Sequence, residues 1–427
     1  MVGTTRAQTS IQPATQLPAR SSQLYRFDLQ GQAFKRDPLP TFACMRAAGP
    51  LVRNRVSIVG SVTFACTHAT CSALLKDETT FSVDVANASR WSPLPLLQQL
   101  PGIRVLTKHM MQADHDEHRR LRGAVDHAFR RAVVARLEPR IEALTAAQLD
   151  VLENAQVPDV VAHVARDLPL TVICELLGLP AADRPKLKRW MADMAGAASL
   201  RGVLAMIPSL RKMSAYLRAH IDQCRRAPGQ DLISELVTAP SGSSGRGLSD
   251  QELLSTCFLL FAAGHETTSN LMSGGIFTLL QHRTQWDLLC DDPGRAQDAT
   301  NELLRHYAPV QMGQVRHVTR PTTLGGRALQ RGDMVMPLLG AANSDPQAFA
   351  APERFDVMRS DMAKTLSFGA GPHFCLGAWL ARAEMTAFIK AMTQRFPDVH
   401  LAVDTEELRW SPRLGIRELT ALPVHLS

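Results

Sequence analysis

A single cysteine set among glycines constrains this chain more than any other feature. Cys375 lies in Phe368-Gly-Ala-Gly-Pro-His-Phe-Cys-Leu-Gly377, and a strongly helical stretch, Ala378 to Phe396, follows at once. Glycine lets the main chain come very close to something flat and large. The helix that follows points its N-terminal dipole and free N–H groups at the sulfur. Both effects favour thiolate over thiol. No partner cysteine or histidine stands at zinc spacing, so the thiolate suits a metal held mostly by another ligand set. The plainer alternative is a buried structural cysteine beside a glycine-rich turn.

The 427 residues would allow two or three domains, but no long low-complexity linker divides them. The clearest loop, Ala239-Pro-Ser-Gly-Ser-Ser-Gly-Arg-Gly247, is too short to separate independent domains. The reading is a disordered polar tail over 1–30 and a single domain over 31–427. The tail's Arg6, Arg20 and Arg26, with no acid before Asp28, also have a transit-peptide flavour. Eight scattered cysteines without a Cys-x-x-Cys pair point to a reducing, cytoplasmic setting with one special thiolate. No run of 18 apolar residues exists, so no membrane span is expected. The net charge of +7 is uneven: seven arginines (119, 120, 122, 130, 131, 136, 140) stand against Asp126 and Glu138 between Arg119 and Arg140. Such a cluster binds an anion or an acidic protein, or is a solvated helix face. Without a nucleic-acid motif or aromatic platform, nucleic acid is not the expected partner.

Apolar residues at helical spacing mark helices over Asp183 to Met194, Leu210 to Arg226, Asp250 to His282 and Ala296 to His306. Short β-like runs are few: Val52 to Val62, Gly332 to Leu338 and Leu422 to Leu426. The fold class is mainly α with a small β region. Ser249-Asp-Gln-Glu252 reads as a capping box, and Leu253 to Ala263 is apolar nearly all round, as in a buried helix. Its character then changes abruptly at Gly264-His-Glu-Thr-Thr-Ser-Asn270. A polar patch inside a buried helix is costly unless satisfied. It is either a kink with internally bonded hydroxyls or a groove in which an acid beside an alcohol carries protons.

Haem iron, held by its porphyrin, is a metal of the kind Cys375 suits. The spacing Phe-x-x-Gly-x-x-x-Cys-x-Gly at Phe368, Gly371, Cys375 and Gly377 resembles the haem-binding loop of the cytochrome P-450 family, and His373 is similar to its bacterial soluble branch. The resemblance runs from about Asp37-Pro38 to the C-terminus. It implies haem b (iron protoporphyrin IX) lying between the long central helix and the helix after the cysteine, with Cys375 as iron ligand. Ala263-Gly-His-Glu-Thr267 is similar to the family's Ala/Gly-Gly-x-Asp/Glu-Thr motif. On that likeness Thr267 holds dioxygen and its water, and Glu266 helps deliver protons. Glu302-Leu-Leu-Arg305 looks like the family's structural Glu-x-x-Arg ion pair, with Arg354 of Ala351-Pro-Glu-Arg-Phe355 as third partner. His118 and Arg122, at His-x-x-x-Arg spacing, together with Arg316 and His373, form the implied propionate set. Two departures touch the loops: Asp114-His-Asp116 replaces Asp-Pro-Pro, and Thr365-Leu-Ser replaces His-Leu-Ala.

The resemblance places substrate contacts at Asp84 to Met111, Leu170 to Ile207, Phe258 to Ala263, Val310 to Gly313 and near Leu414. These segments are rich in Leu, Met, Val, Ala and Pro, which reads as a roomy aliphatic pocket. Terpenoid, polyketide or steroid-like substrates fit it, with Gln311 as a polar anchor. The expected enzyme is a monomeric monooxygenase using O2 to hydroxylate or epoxidise such a molecule in secondary metabolism. No flavin or nicotinamide fingerprint appears, so electrons come from a ferredoxin or flavodoxin with its reductase, docked on the arginine cluster. Desaturation, oxidative coupling and peroxygenase chemistry remain alternatives within the family, and a non-enzymatic haem-thiolate sensor is an alternative class.

Overall fold

The helix Asp250–Gln281 runs through the centre of the structure, a computed structural model that describes residues 23–56, 60–88, 103–106, 108–195, 200–239 and 247–427. Ser249 and Glu252 form the capping box at its start, each side chain accepting from the other's main-chain N–H. Leu253, Leu254, Cys257, Phe258, Leu260 and Phe261 are buried in its first half, and Leu271, Met272, Ile276 and Phe277 in its second. Each such side chain contributes about 1.5–3 kcal/mol on burial. Close neighbours then shape the glycines. A Cβ on Gly264 would lie 3.1 Å from Ile173 of the helix Asp167–Leu176, and one on Gly274 would enter the Tyr307 ring.

The other expected helices appear as Arg184–Ala195, Leu200–Arg226 and Ala296–His306. The helix after the cysteine, Ala378–Arg395, packs against Arg131–Glu153, Ala296–His306 and the central helix. Beside this helical body lies a six-stranded sheet with the spatial order Leu24–Tyr25, Leu51–Val56, Gly60–Ala65, Met334–Pro337, Arg316–Val318, Phe81–Ser82. The run Val52 to Val62 is two antiparallel strands in the register Leu51 with Ala65. Arg316–Val318, not anticipated as a strand, sits between Met334–Pro337 and Phe81–Ser82 and so fixes where Arg316 points. Val424–His425 pairs with His400–Leu401.

The tail anticipated over 1–30 lies outside the described residues as far as 22. From 23 onward the chain is built into the fold: Leu24 and Tyr25 pair with Arg53 and Asn54, Phe27 donates its N–H to Asn54 Oδ1 at 2.8 Å, and Leu29 is buried. The loop Ala239 to Gly247 lies outside the described residues except at its two ends.

Glu302 and Arg305 are both fully buried. Arg305 binds both Glu302 oxygens at 2.7 Å and donates to the carbonyls of Asn343, Pro352 and Arg354. The third side chain of the network is Arg359, whose Nε lies 3.2 Å from Glu302 Oε1. This corrects the expectation for Arg354. Its carbonyl is turned in toward Arg305, which turns its side chain out, 70% exposed and 3.5 Å from Asp356. Glu302→Ala should leave Arg305 and Arg359 buried against no anion and lower unfolding stability by about 3–5 kcal/mol. Arg354→Ala should stay within about 0.5 kcal/mol of the parent. Denaturant midpoints at constant slope measure both, and equal midpoints for the two variants would refute the assignment.

Candidate active site

The cysteine loop is tied by its own main chain. Cys375 N–H donates to Phe368 O at 2.9 Å, and Phe374 N–H to Gly371 O at 3.0 Å. Gly369 and Gly371 take φ of 72° and 71°, values that favour glycine. A Cβ on Gly371 would lie 2.5 Å from the carbonyl oxygen of Leu75. That glycine therefore serves contact with the helix His68–Lys76 as well as the turn. Gly377 differs: a Cβ there would meet nothing within 4 Å, so this stretch of main chain is open to a flat ligand. Phe368 packs under the Arg382 guanidinium, 4.5 Å from its ring centroid.

Cys375 keeps accessible surface although protein encloses it. Burial pushes its thiol up, and the Gly377 N–H, Arg122 and Arg382 pull it down without overcoming burial. The Gly377 N–H at the start of the following helix acts in the direction the sequence reading expected, toward thiolate. A cation on the sulfur would complete it.

Beside the loop, the His118 and His373 rings lie against each other, tilted by 40°, with centroids 4.2 Å apart. His118 Nδ1, His373 Nε2 and the Nε and Nη1 of Arg316 are buried without a hydrogen-bond partner. Arg316 is 1% exposed. Burial, then His373 and Arg122, lowers His118 to about 4. Arg122 is partly committed elsewhere: its Nη1 donates to the carbonyls of Pro372 and Phe374, holding the cysteine loop to the helix His115–Val125. Asp114 was noticed in the sequence only as a departure. Its carboxylate accepts from Ser82 Oγ and from the N–H groups of Val83 and Asp84, and lies 3.8 Å from His373 Nε2. Burial alone would raise this acid; His373, Ser82 and the two N–H groups hold it well below the usual carboxylate range.

On the central helix, Ala263 is exposed between the half-buried Ala262 and Gly264. Thr267 Oγ1 donates back to Ala263 O at 2.8 Å, so its lone pairs remain to accept a hydrogen bond. Glu266 is bound through both oxygens by Arg413, the second contact at 3.1 Å. His265 turns the other way, to Arg166 O at 2.9 Å. Gln311 does not line accessible space: it is fully buried, both amide atoms lack a partner, and its N–H and C=O are held by Gly415 and Gly340. Of the expected pocket stretches, 89–102, 107 and 196–199 lie outside the described residues.

The arginine cluster is largely matched by acids. Arg119 pairs with Asp116 and Glu78, Arg120 with Glu117 and Glu252, Arg130 with Asp126 and Arg140 with Glu175. Arg131 instead lies 5.1 Å from the ring centroid of Trp379. Trp379 and Phe374 are 38% and 40% exposed on the cysteine side. Among the described residues no helix is long and apolar enough to cross a membrane. No group of three or more His, Cys, Asp or Glu stands together as a metal site there.

The family model described as cytochrome P450 matches residues 209–287 and 296–411. The polyketide biosynthesis cytochrome P450 PksS of Bacillus subtilis is 35% identical over 94% of this chain and 98% of its own length. The cytochrome P450 monooxygenase PikC of Streptomyces venezuelae is 36% identical over 92% of each. A crystal structure of the myxobacterial cytochrome P450 CYP267B1 in complex with myristic acid superposes with a TM-score of 0.87 at 34% identity, covering 93% of this chain and 98% of that one.

The buried His118 makes the cofactor-free protein acid-sensitive. Its folded value, about 4, lies below the ordinary 6.5, so between these values the unfolded chain binds a proton that the folded one refuses. Its contribution is present above pH 6.5 and is lost as pH falls toward 4. The loss should be below the full limit of about 1.4 kcal/mol per pH unit. His118→Gln should show a shallower fall in melting temperature between these pH values; an unchanged slope would dismiss the effect.

Proposed function

The chain belongs to the cytochrome P450 family and is a haem-dependent monooxygenase, and we propose that its substrate is an apolar molecule of polyketide, terpenoid or steroid-like kind. The reading is carried by one observation: the Nε and Nη1 of Arg316 and the Nδ1 of His118 are buried with no protein partner, and His118 lies against His373 of the Cys375 loop. Haem b fits these residues. Its propionates need donors: the unpaired Arg316 nitrogens are donors, and a neutral His118 donates through the ring nitrogen that carries its proton. Its flat ring needs main chain without side chains, which Gly377 offers. Its iron would supply the cation that completes the charge on the Cys375 sulfur.

Cys375 would hold the iron, and Arg316, His118 and His373 would hold the propionates. Arg122 shapes the loop through its bonds to Pro372 and Phe374. Phe368 and Gly371 fix the turn that presents the sulfur. When bound, haem supplies the activation of dioxygen. The chain's part is to exclude bulk water, hold the substrate and move protons. Thr267 Oγ1, whose hydrogen is engaged by Ala263 O, accepts a hydrogen bond from a water and orients it. Glu266 takes protons from the solvent side and hands them to that water.

The aliphatic pocket segments and the polyketide association in the name of PksS support hydroxylation or epoxidation of such a substrate in secondary metabolism. Electrons come from a separate ferredoxin or flavodoxin. The exposed Trp379 and Phe374, with Arg131 and Arg382 against the Trp379 ring, supply an aromatic and basic surface for it on the cysteine side.

The reduced carbon monoxide complex should show the strongly red-shifted Soret band of thiolate ligation. Cys375→Ala should lose it; retention of the band would refute the assignment. Macrolactones, steroids and fatty acids can then be screened by substrate-induced spin shift, and products identified after turnover with a surrogate ferredoxin. Thr267→Ala should keep the spin shift while product per reductant falls about tenfold or more and peroxide accumulates. Unchanged coupling would remove Thr267 from the relay.

A further inference from the structure

Arg382 lies in the second turn of the helix that follows Cys375. It is half-buried, and its hydrogen bonds go to neutral groups: Nε donates to Asn301 Oδ1 at 3.0 Å and Nη1 to Ala378 O at 3.5 Å. The guanidinium lies 4.5 Å from the Phe368 ring centroid and 5.5 Å from that of Trp379. Among the described residues no acid acts on it, and Cys375 is the one charged group that does. Burial lowers Arg382 from the ordinary arginine value, and the sulfur pulls it back up.

Arg122, the other cation that acts on the sulfur, is answered in part by Asp126, 3.8 Å away. Arg382 has no such counter-ion, yet it is held from several directions. Phe368 belongs to the cysteine loop, and its carbonyl accepts the Cys375 N–H at 2.9 Å. Asn301 precedes the buried Glu302 on the helix Ala296–His306. A guanidinium stacks on aromatic rings and stays charged there. The result is a fixed positive charge whose anion is the sulfur.

We propose that Arg382 is a positioning residue for the haem thiolate: held by Phe368, Trp379 and Asn301, it sets an unmatched positive charge beside Cys375 and so favours uptake of an electron at the iron. The inference rests on the monooxygenase reading and on Cys375 as its ligand. An added electron makes the iron–sulfur unit more negative, and a fixed cation nearby stabilises that state. The same cation draws electron density on the sulfur away from the iron.

The test uses the haem-loaded enzyme and a small redox dye in place of a protein donor, so that docking plays no part. One electron passes from the reduced dye to the ferric protein, and absorbance gives the equilibrium constant. Arg382→Gln removes the charge, and Arg382→Lys keeps it. The constant should fall about threefold to tenfold in Arg382→Gln, the effect of one unit charge through a partly screened interior. It should stay within about twofold of the parent in Arg382→Lys. The C–O stretch of the reduced carbon monoxide complex should move to lower wavenumber in Arg382→Gln and hold its place in Arg382→Lys. The effect of Arg382→Gln should persist from about 0.05 M to about 1 M salt, because the charge is shielded from solvent. Arg131→Gln, which removes an exposed cation from the same Trp379 ring, should act at low salt alone.

An unchanged constant in Arg382→Gln, an equal fall in Arg382→Lys, or an effect that fades with salt overturns the proposal. Should Arg382→Gln not retain haem, Asn301→Asp gives the second measurement. It sets an acid against Arg382 Nε and answers the charge in place, so the constant should fall in the same sense; an unchanged constant there overturns the proposal too. Failure of the monooxygenase reading is distinct from all of these, because it would show as absence of the red-shifted carbon monoxide band in the parent protein.

Discussion

Glu302, a carboxylate without any solvent contact, is the point on which the cysteine side of the molecule is hung. Arg305 neutralises it and then spends its remaining donors on the carbonyls of Asn343, Pro352 and Arg354. Asn343 passes the constraint on: its Oδ1 accepts the Leu366 N–H at 2.8 Å, and its Nδ2 donates to Ser367 Oγ at 2.8 Å. Ser367 in turn donates to Leu304 O, one residue before Arg305. A closed circuit therefore joins the ion pair to the segment immediately before Phe368. The Thr365-Leu-Ser departure from the family pattern lies inside this circuit, and its hydroxyls are what close it. Buried charge is weak evidence for stability; what the circuit shows is that the segment before Phe368 is tied to the ion pair by hydrogen bonds.

The site beyond that anchor is built against the ordinary rules of burial. Arg316 is buried with two nitrogens unpaired, and His118, pressed against His373, has an unpaired ring nitrogen. An unsatisfied buried polar group costs about 1–3 kcal/mol, so several in one place would be a liability in a purely structural core. Violations of this kind gather at functional sites. A dianionic ligand reverses the sign of each: a carboxylate beside Arg316 and the histidines turns their lost hydration into charge-assisted bonds. The same reversal holds at Cys375, where burial opposes the charge that a metal cation would stabilise.

Local signals in the sequence were legible, and distant pairings were not. The capping box Ser249 to Glu252, the polar break at 264–270 and the boundaries of Ala296–His306 depend on near neighbours and were read to within a residue or two. Glu302 and Arg305 share one helix face, so their pairing could be read from spacing. Arg359 joins them only because the loop after Pro352 folds back, and nothing in the pattern preferred it to Arg354. The arginine run looked like surplus charge because its acids lie elsewhere: Glu78, Glu175 and Glu252 come from other elements. Arg413 carried no motif at all, and its contact with Glu266 joins residues far apart in the chain. Gln311 shows the reverse error, since a polar residue in a pocket segment was taken to face the pocket and is sealed instead.

The second departure has its own local logic. His115 stands where the family often places the first proline after the aspartate, and its φ is 51°. Proline is locked near −65°, so this backbone path is closed to it. A non-glycine residue in that region carries strain, and the surroundings hold it there: His115 Nδ1 lies 3.2 Å from Glu78, and Asp114 before it gathers the Ser82 hydroxyl and the N–H groups of Val83 and Asp84. Those bonds tie Phe81–Ser82, the edge strand next to Arg316–Val318, to the first turn of the helix that carries His118 and Arg122. His118 and Arg122 on a helix and Arg316 on a strand are thus tied together through an aspartate. The departure changes how the corner is turned while the cations remain gathered beside the cysteine loop.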